Sequence, residues 1–140
     1  MKTLKHFING HYVAGSSEDS FELVSPVDGE TYAISPNANE VEVEQAYSAA
    51  EAAFSIWRKS TPAQRQKALL LLADEIERNV ERLVTAQSQE TGQLRHFIEK
   101  EEIAASCDTI RFFAGAARCL EGKAAGEYSA GFTSTIRREP

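Results

Sequence analysis

The feature that most constrains this chain is a change of hydrophobic period between Pro36 and Asn39. Before it, apolar residues come in short β-branched and aromatic runs cut by turn signals; after it they recur every three or four residues. His6-Phe7-Ile8 and His11-Tyr12-Val13 flank Asn9-Gly10, which supplies the two positive φ angles of a type I′ turn, so the spacing predicts a hairpin. Phe21 to Ser25 and Glu30 to Ile34 flank Pro26-Val27-Asp28-Gly29 and predict a second one.

Beyond Asn39, residues Val43, Ala46, Tyr47, Ala50, Ala53, Phe54 and Trp57 fall on one helical face, and Asn39 with Glu42 has the form of a capping box. Thr61 caps a second helix, with Pro62 at its first position and Gln64 able to reach back. Its stripe is Leu69, Leu72, Ala73, Ile76, Val80, Leu83 and Val84, closed by Gly92; that length predicts a break near Asn79. A third stripe runs Ile103, Cys107, Ile110, Ala114, Ala117, widened by Phe112 and Phe113 and ended by Gly122. Lys123 to Ala130 reads as a short loop or strand entry. Phe132 to Glu139 reads as a strand with no partner after it, so the sequence reads as the opening part of something larger. The expected fold class is α+β: N-terminal β-hairpins, three amphipathic helices and a C-terminal strand.

Composition enters as a set of exclusions. With 42% hydrophobic and 26% charged residues the chain is globular rather than disordered, and a net charge of -6 argues against a nucleic-acid surface. The two N-terminal lysines are not followed by an apolar core, so no signal peptide is expected, and no apolar run is long enough to span a membrane. Two cysteines without a CxxC pattern fit a reduced, cytoplasmic protein.

The residues offer little local chemistry. Cys107 lies mid-helix among Ala104, Ala105 and Ile110 with no adjacent base, and reads as a core residue. Cys119 follows Arg118, but near a helix C-terminus the dipole opposes a thiolate. His6, His11 and His96 lack metal-ligand spacing, and no GxGxxG or GxxxxGK[ST] occurs. Glu99-Lys100-Glu101-Glu102 reads first as a solvated helical face.

Several stretches taken together are familiar: Phe7-Ile8-Asn9-Gly10, Ser25-Pro26-Val27-Asp28-Gly29-Glu30, Glu90-Thr91-Gly92-Gln93, Arg111 to Gly122, and Thr135 to Pro140. In this order they resemble the N-terminal segment of the NAD(P)-dependent aldehyde dehydrogenase superfamily. The Phe112 to Leu120 stretch is most similar to bacterial 4-aminobutyraldehyde dehydrogenases, with betaine aldehyde dehydrogenases next. The resemblance implies an α/β parent that oxidises an aldehyde, expected to be 4-aminobutanal or a related aminoaldehyde, to the acid with NAD. It implies residues 1–126 as the N-terminal part of the cofactor-binding domain and 127–140 as the start of an oligomerisation arm, hence a homo-oligomer or self-association. In the family the cysteine nucleophile, the oxyanion-holding asparagine and the water-activating glutamate match nothing before Pro140. The chain alone is therefore expected to carry no catalytic and no cofactor-binding residue.

Two family features do map onto residues present. A monovalent cation, Na or K, is held in many relatives by carbonyls matching Leu23 and Val24 and by an acid matching Glu90, where the family commonly has Asp. The aldehyde channel is approached by positions matching Glu101, Glu102 and Ala105, and carboxylates there suit a cationic substrate. Arg137 and Arg138 read as strand-surface charges. A competing reading makes the chain a stand-alone helical interaction module. If some seven stripe residues stayed wet, the loss of roughly 10 to 20 kcal/mol would rival a domain's whole stability, which favours the larger parent.

Overall fold

The computed structural model describes residues 1–119 and 124–135. Strand β1 (Lys2–Thr3) runs parallel to β5 (Thr31–Pro36), which pairs antiparallel with β4 (Ser20–Val24) to make a three-stranded sheet. Strands β2 (His6–Ile8) and β3 (His11–Val13) form a separate hairpin in which Phe7 faces Tyr12. Its turn has φ of 51° at Asn9 and 79° at Gly10, the left-handed pair the Asn-Gly dipeptide was expected to supply. At the β4–β5 turn the Glu30 N–H donates to Asp28 Oδ1 at 3.0 Å, and Gly29 takes φ 77°. That bond, with the Ser25 hydroxyl, lowers the Asp28 pKa.

Helix α1 (Glu40–Trp57) opens on the expected capping box: Asn39 Oδ1 accepts from the Glu42 N–H at 2.9 Å, and Glu42 Oε2 accepts from the Asn39 N–H at 3.0 Å. Helix α2 (Pro62–Arg78) repeats the device with Thr61 and Gln64. Asn79 (φ -110°, ψ 17°) interrupts the long second stripe, and α3 (Val80–Thr91) follows, ended by Gly92 at φ 74°. The expected third helix divides into a short α4 (Arg95–Phe97), a π-helical turn Ile98–Ile103 and α5 (Ala104–Ala116).

The tail strand corrects the expectation of an orphan. Strand β7 (Phe132–Thr135) pairs antiparallel with β6 (Ala124–Ser129), whose Ala- and Gly-rich sequence carries a weak strand signal; Gly131 at φ 85° makes the turn between them. The partner precedes the strand. Arg137 and Arg138, with Gly122, lie outside the described residues.

The core is small and sits between α2 and α5. Ala73, Cys107 and Ala114 are buried there, joined by Val84 of α3 and Ile98 of the π-helical turn. Cys107 Sγ lies 3.8 Å from the Ala73 carbonyl oxygen. Outside the pair, Arg111 donates to Glu77 at 2.6 and 2.7 Å and to Asp74 at 3.0 Å. Helix α1 is packed differently: its stripe residues Val43, Tyr47, Phe54 and Trp57 are all exposed.

What holds α1 to the β layer is polar. The Glu42 carboxylate is buried, and its Oε1 accepts from the Ser16 N–H at 2.8 Å and the Ser16 hydroxyl at 2.9 Å. His6 Nε2 lies 3.7 Å from Oε2. The Asn39 N–H first, then the Ser16 N–H, hold the Glu42 pKa below its ordinary value of 4.5, against the opposing effect of burial. A depressed folded-state pKa contributes stability above the unfolded value and loses it as pH falls through the folded one. The thermal midpoint of Glu42→Gln is therefore expected to lie furthest below that of the parent above about pH 5, the gap closing as pH drops. A gap that stays constant down to about pH 3 contradicts this assignment.

Candidate functional site

The polar chemistry of the helical layer gathers where α3 ends and the π-helical turn begins. Gly92 lets the chain reverse, and Gln93 then folds back toward the turn. Gln93 Nε2 donates to Glu102 Oε1 at 2.7 Å, Gln87 Nε2 donates to Glu102 Oε2, and Gln87 Nε2 also donates to Gln93 Oε1 at 2.9 Å. The Ser88 hydroxyl donates to the Gln93 carbonyl at 2.8 Å. Arg95 spans the same corner from the outside, reaching Glu81 Oε2 at 2.7 Å and the Thr85 hydroxyl at 2.9 Å.

This arrangement separates two neighbouring carboxylates. Glu102 is half-buried and both its oxygens are held by amides. Glu101, on the same π-helical turn, is exposed and its side chain has no partner among the described residues. Ala105, in the first turn of α5, is also exposed. The Gln87 and Gln93 amides are the residues that sequence reasoning missed. Gln93 stands inside the recognisable Glu90-Thr91-Gly92-Gln93 motif, but nothing local points it at a residue nine positions on.

Leu23, Val24 and Glu90 lie on two neighbouring elements. The β4–β5 register shifts between Leu23 and Val24, and such an irregularity frees backbone groups from the ladder. The tip of that hairpin abuts the end of α3: a Cβ built on Gly92 would lie 3.3 Å from Pro26 Cγ. Glu90 is exposed two residues before this contact and has no side-chain partner among the described residues.

Neither cysteine sits in a nucleophile's setting. Burial first, then the negative charge of Glu77, push the Cys107 thiol pKa up, with Arg111 opposing. Cys119 is exposed, and among the described residues no group of three or more His, Cys, Asp and Glu side chains is placed to hold a metal. No helix among the described residues is long and apolar enough to cross a membrane.

Residues 12–140 match the Aldehyde dehydrogenase family. The chain belongs to that family. It is 35% identical over 118 residues to a long-chain-aldehyde dehydrogenase of Acinetobacter sp, spanning 84% of this chain and 24% of that protein. Its fold superposes on the crystal structure of PnpE in complex with nicotinamide adenine dinucleotide with a TM-score of 0.88 and 30% identity, covering 100% of this chain and 28% of that one. A salicylaldehyde dehydrogenase from Pseudomonas putida G7, complexed with salicylaldehyde, gives a TM-score of 0.83 at 27% identity, covering 95% of this chain and 27% of that one. The chain thus spans about a quarter of the length of these proteins.

Among the described residues, the junction of β5 and α1 does not fit a dinucleotide. Among the described residues the one parallel strand pairing is β1 with β5. Strand β5 leads into α1 without a glycine-rich turn. The first turn of α1 carries Glu40 and Glu42, and its Glu42 N–H is already taken by Asn39, so a pyrophosphate would meet negative charge there.

Removing the Glu102 carboxylate leaves the Gln87 and Gln93 amides without their acceptor. Glu102→Ala is expected to cost about 1–3 kcal/mol in denaturant unfolding and to speed amide exchange from Leu94 to Ile98. Unchanged exchange in that segment contradicts the role given to the network.

Proposed function

We propose that the chain serves as the N-terminal quarter of an aldehyde dehydrogenase, supplying substrate-side and structural groups while the nucleophile and the NAD-binding residues belong to the rest of such a protein. The family match carries this reading. NAD would supply the hydride acceptor for the aldehyde carbon, held by residues of the rest of such a protein. We assign none of the described residues to that transfer.

Within this assignment the aldehyde is an aminoaldehyde such as 4-aminobutanal. The support is the resemblance of the Phe112 to Leu120 stretch and the exposed carboxylate of Glu101, which has no partner among the described residues, with the small Ala105 four residues on. A carboxylate at the channel attracts an ammonium group, and a neutral aldehyde of the same length gains nothing from it. Glu102 has a different part: its amide contacts hold the π-helical turn in place so that Glu101 projects outward. The β6–β7 hairpin is the start of the oligomerisation arm.

The test is a chimera in which this chain replaces the stretch it matches in the Acinetobacter relative. Glu101→Gln is expected to lower kcat/KM for 4-aminobutanal relative to butanal about threefold, with butanal turnover unchanged. The same preference is expected in the isolated chain as amide shifts near Glu101 on titration with butylammonium. An unchanged ratio defeats the aminoaldehyde assignment, and loss of activity toward both aldehydes in a folded chimera defeats the enzymatic one.

The cation reading is a second part of the proposal. The carbonyls of Leu23 and Val24 beside the register shift, with the carboxylate of Glu90, which has no side-chain partner among the described residues, suit an oxygen-liganded monovalent ion, Na or K. The thermal midpoint of the chain is expected to be a few degrees higher in KCl or NaCl than in tetramethylammonium chloride of equal ionic strength. Glu90→Gln should abolish the difference.

A further inference from the structure

Among the described residues, one buried side-chain nitrogen lacks a hydrogen-bond partner: Nε2 of His6, on β2. A fifth of the side chain, 21%, is exposed, but the Nε2 end is walled in. Glu42 Oε2 of α1 lies 3.7 Å from it. The chain leaving β3 passes close by at Gly15, where an added Cβ would lie 3.1 Å from Nε2 and 2.5 Å from Pro36 Cβ. A side chain there would displace the ring or the end of β5.

Glu42 offers Nε2 nothing but lone pairs, since its Oε2 already accepts from the Asn39 N–H and its Oε1 accepts twice from Ser16. A bare ring nitrogen facing a carboxylate is repelled, whereas an N–H is attracted. We infer that His6 is a proton-operated latch: Nε2 keeps its hydrogen toward Glu42, and a proton gained at Nδ1 turns the contact into an ion pair that draws the β2–β3 hairpin onto α1. Little else seats the hairpin there, because it meets α1 across a cleft of about 270 Å³ lined by Phe7, Ile8, Val43 and Tyr47. The other elements against the ring bring Val13 across the hairpin, Gly15 and Ser16 of the following loop, and Pro36 of β5, none of them charged. Lys5, the preceding residue, is exposed, and Tyr47 lines the same cleft from α1. Glu42 is thus the charge to which the ring responds.

The pair attracts while the ring is charged and the carboxylate ionised. Bonds from the Asn39 and Ser16 N–H groups keep Glu42 ionised well into the acid range, and the His6 charge adds to their effect. Imidazole gains its charge in passing from neutral to mildly acid solution. The latch therefore contributes in mild acid, fades as pH rises past neutrality, and is lost again when Glu42 takes up a proton.

Amide exchange of the intact chain, corrected for its intrinsic pH dependence, tests this. Relative to the amides of α2 and α5, those of β2 and β3 are expected to be about threefold better protected at about pH 5.5 than at about pH 8.5. His6→Gln, which keeps an N–H donor but does not titrate, and Glu42→Gln should each remove the difference, while His11→Gln on the same hairpin leaves it. Ring ¹⁵N shifts of the unsubstituted chain read the tautomer without any variant, and Nε2 is expected to carry the hydrogen at about pH 8.5. A hydrogen on Nδ1 instead, equal relative protection at the two pH values, or a difference that survives His6→Gln overturns the latch.

Discussion

The close approach of α2 and α5 through Ala73 and Cys107 is the constraint on which the helical layer depends. Both residues are buried, and their small side chains bring the backbones near enough for the thiol to lie 3.8 Å from a carbonyl of the facing helix. A pair fixed at that distance leaves room at one edge for a large side chain, and Ile98 fills it, the one large side chain among the described residues to be fully buried. Arg111 then closes the outer edge on Asp74 and Glu77, where exposure keeps each ion pair individually weak but the guanidinium's two-sided grip fixes rotation. The π-helical turn follows from the same packing. Its wider winding lets Ile98 enter the core while Glu101 and Ala105 remain outside.

How much of this was legible in the sequence depends on the range of the interaction. Asn9-Gly10, the Asn39–Glu42 and Thr61–Gln64 boxes, the break at Asn79 and the stop at Gly92 all rest on bonds or dihedral angles within four residues, and all were readable. The parallel docking of Lys2-Thr3 on β5 was not, because two exposed residues carry no periodic signal. Nor was β6, where alanine and glycine give a poor strand signal beside the conspicuous Phe132 run. The second role of Glu42 was equally hidden: its bonds to Ser16 cross 26 positions, a separation at which hydrophobic spacing says nothing about polar partners.

The candidate site shows the same limit in a sharper form. Glu101 and Glu102 are identical side chains at adjacent positions, and a sequence reading treats them alike. Their environments do not. Two amides occupy Glu102, so bringing an ammonium group to it would mean breaking bonds that hold the α3 corner together; among the described residues Glu101 has no such bonds to break. Cys107 gives the converse lesson, since its raised pKa comes from the same close packing that stabilises the α2–α5 pair. A thiol serving as structural filler at that contact cannot also be a ready thiolate.

Helix α1 stands apart because its ends are well made and its face is uncovered. The capping box, the Ser16 bonds to Glu42 and the Arg58 contact with Phe54 all act at its termini, and each stabilises the helix without burying the stripe between them. At 18 residues α1 is longer than the roughly 12–15 below which isolated helices are marginal in water, and the caps add to that. The apolar residues are thereby held in register before anything covers them. A preformed seam costs less to dock than one that must fold on contact, because the ordering entropy has already been offset by the caps. The local chemistry at Asn39 and Glu42 therefore holds the open face at Tyr47 and Trp57 in place from the end of the helix.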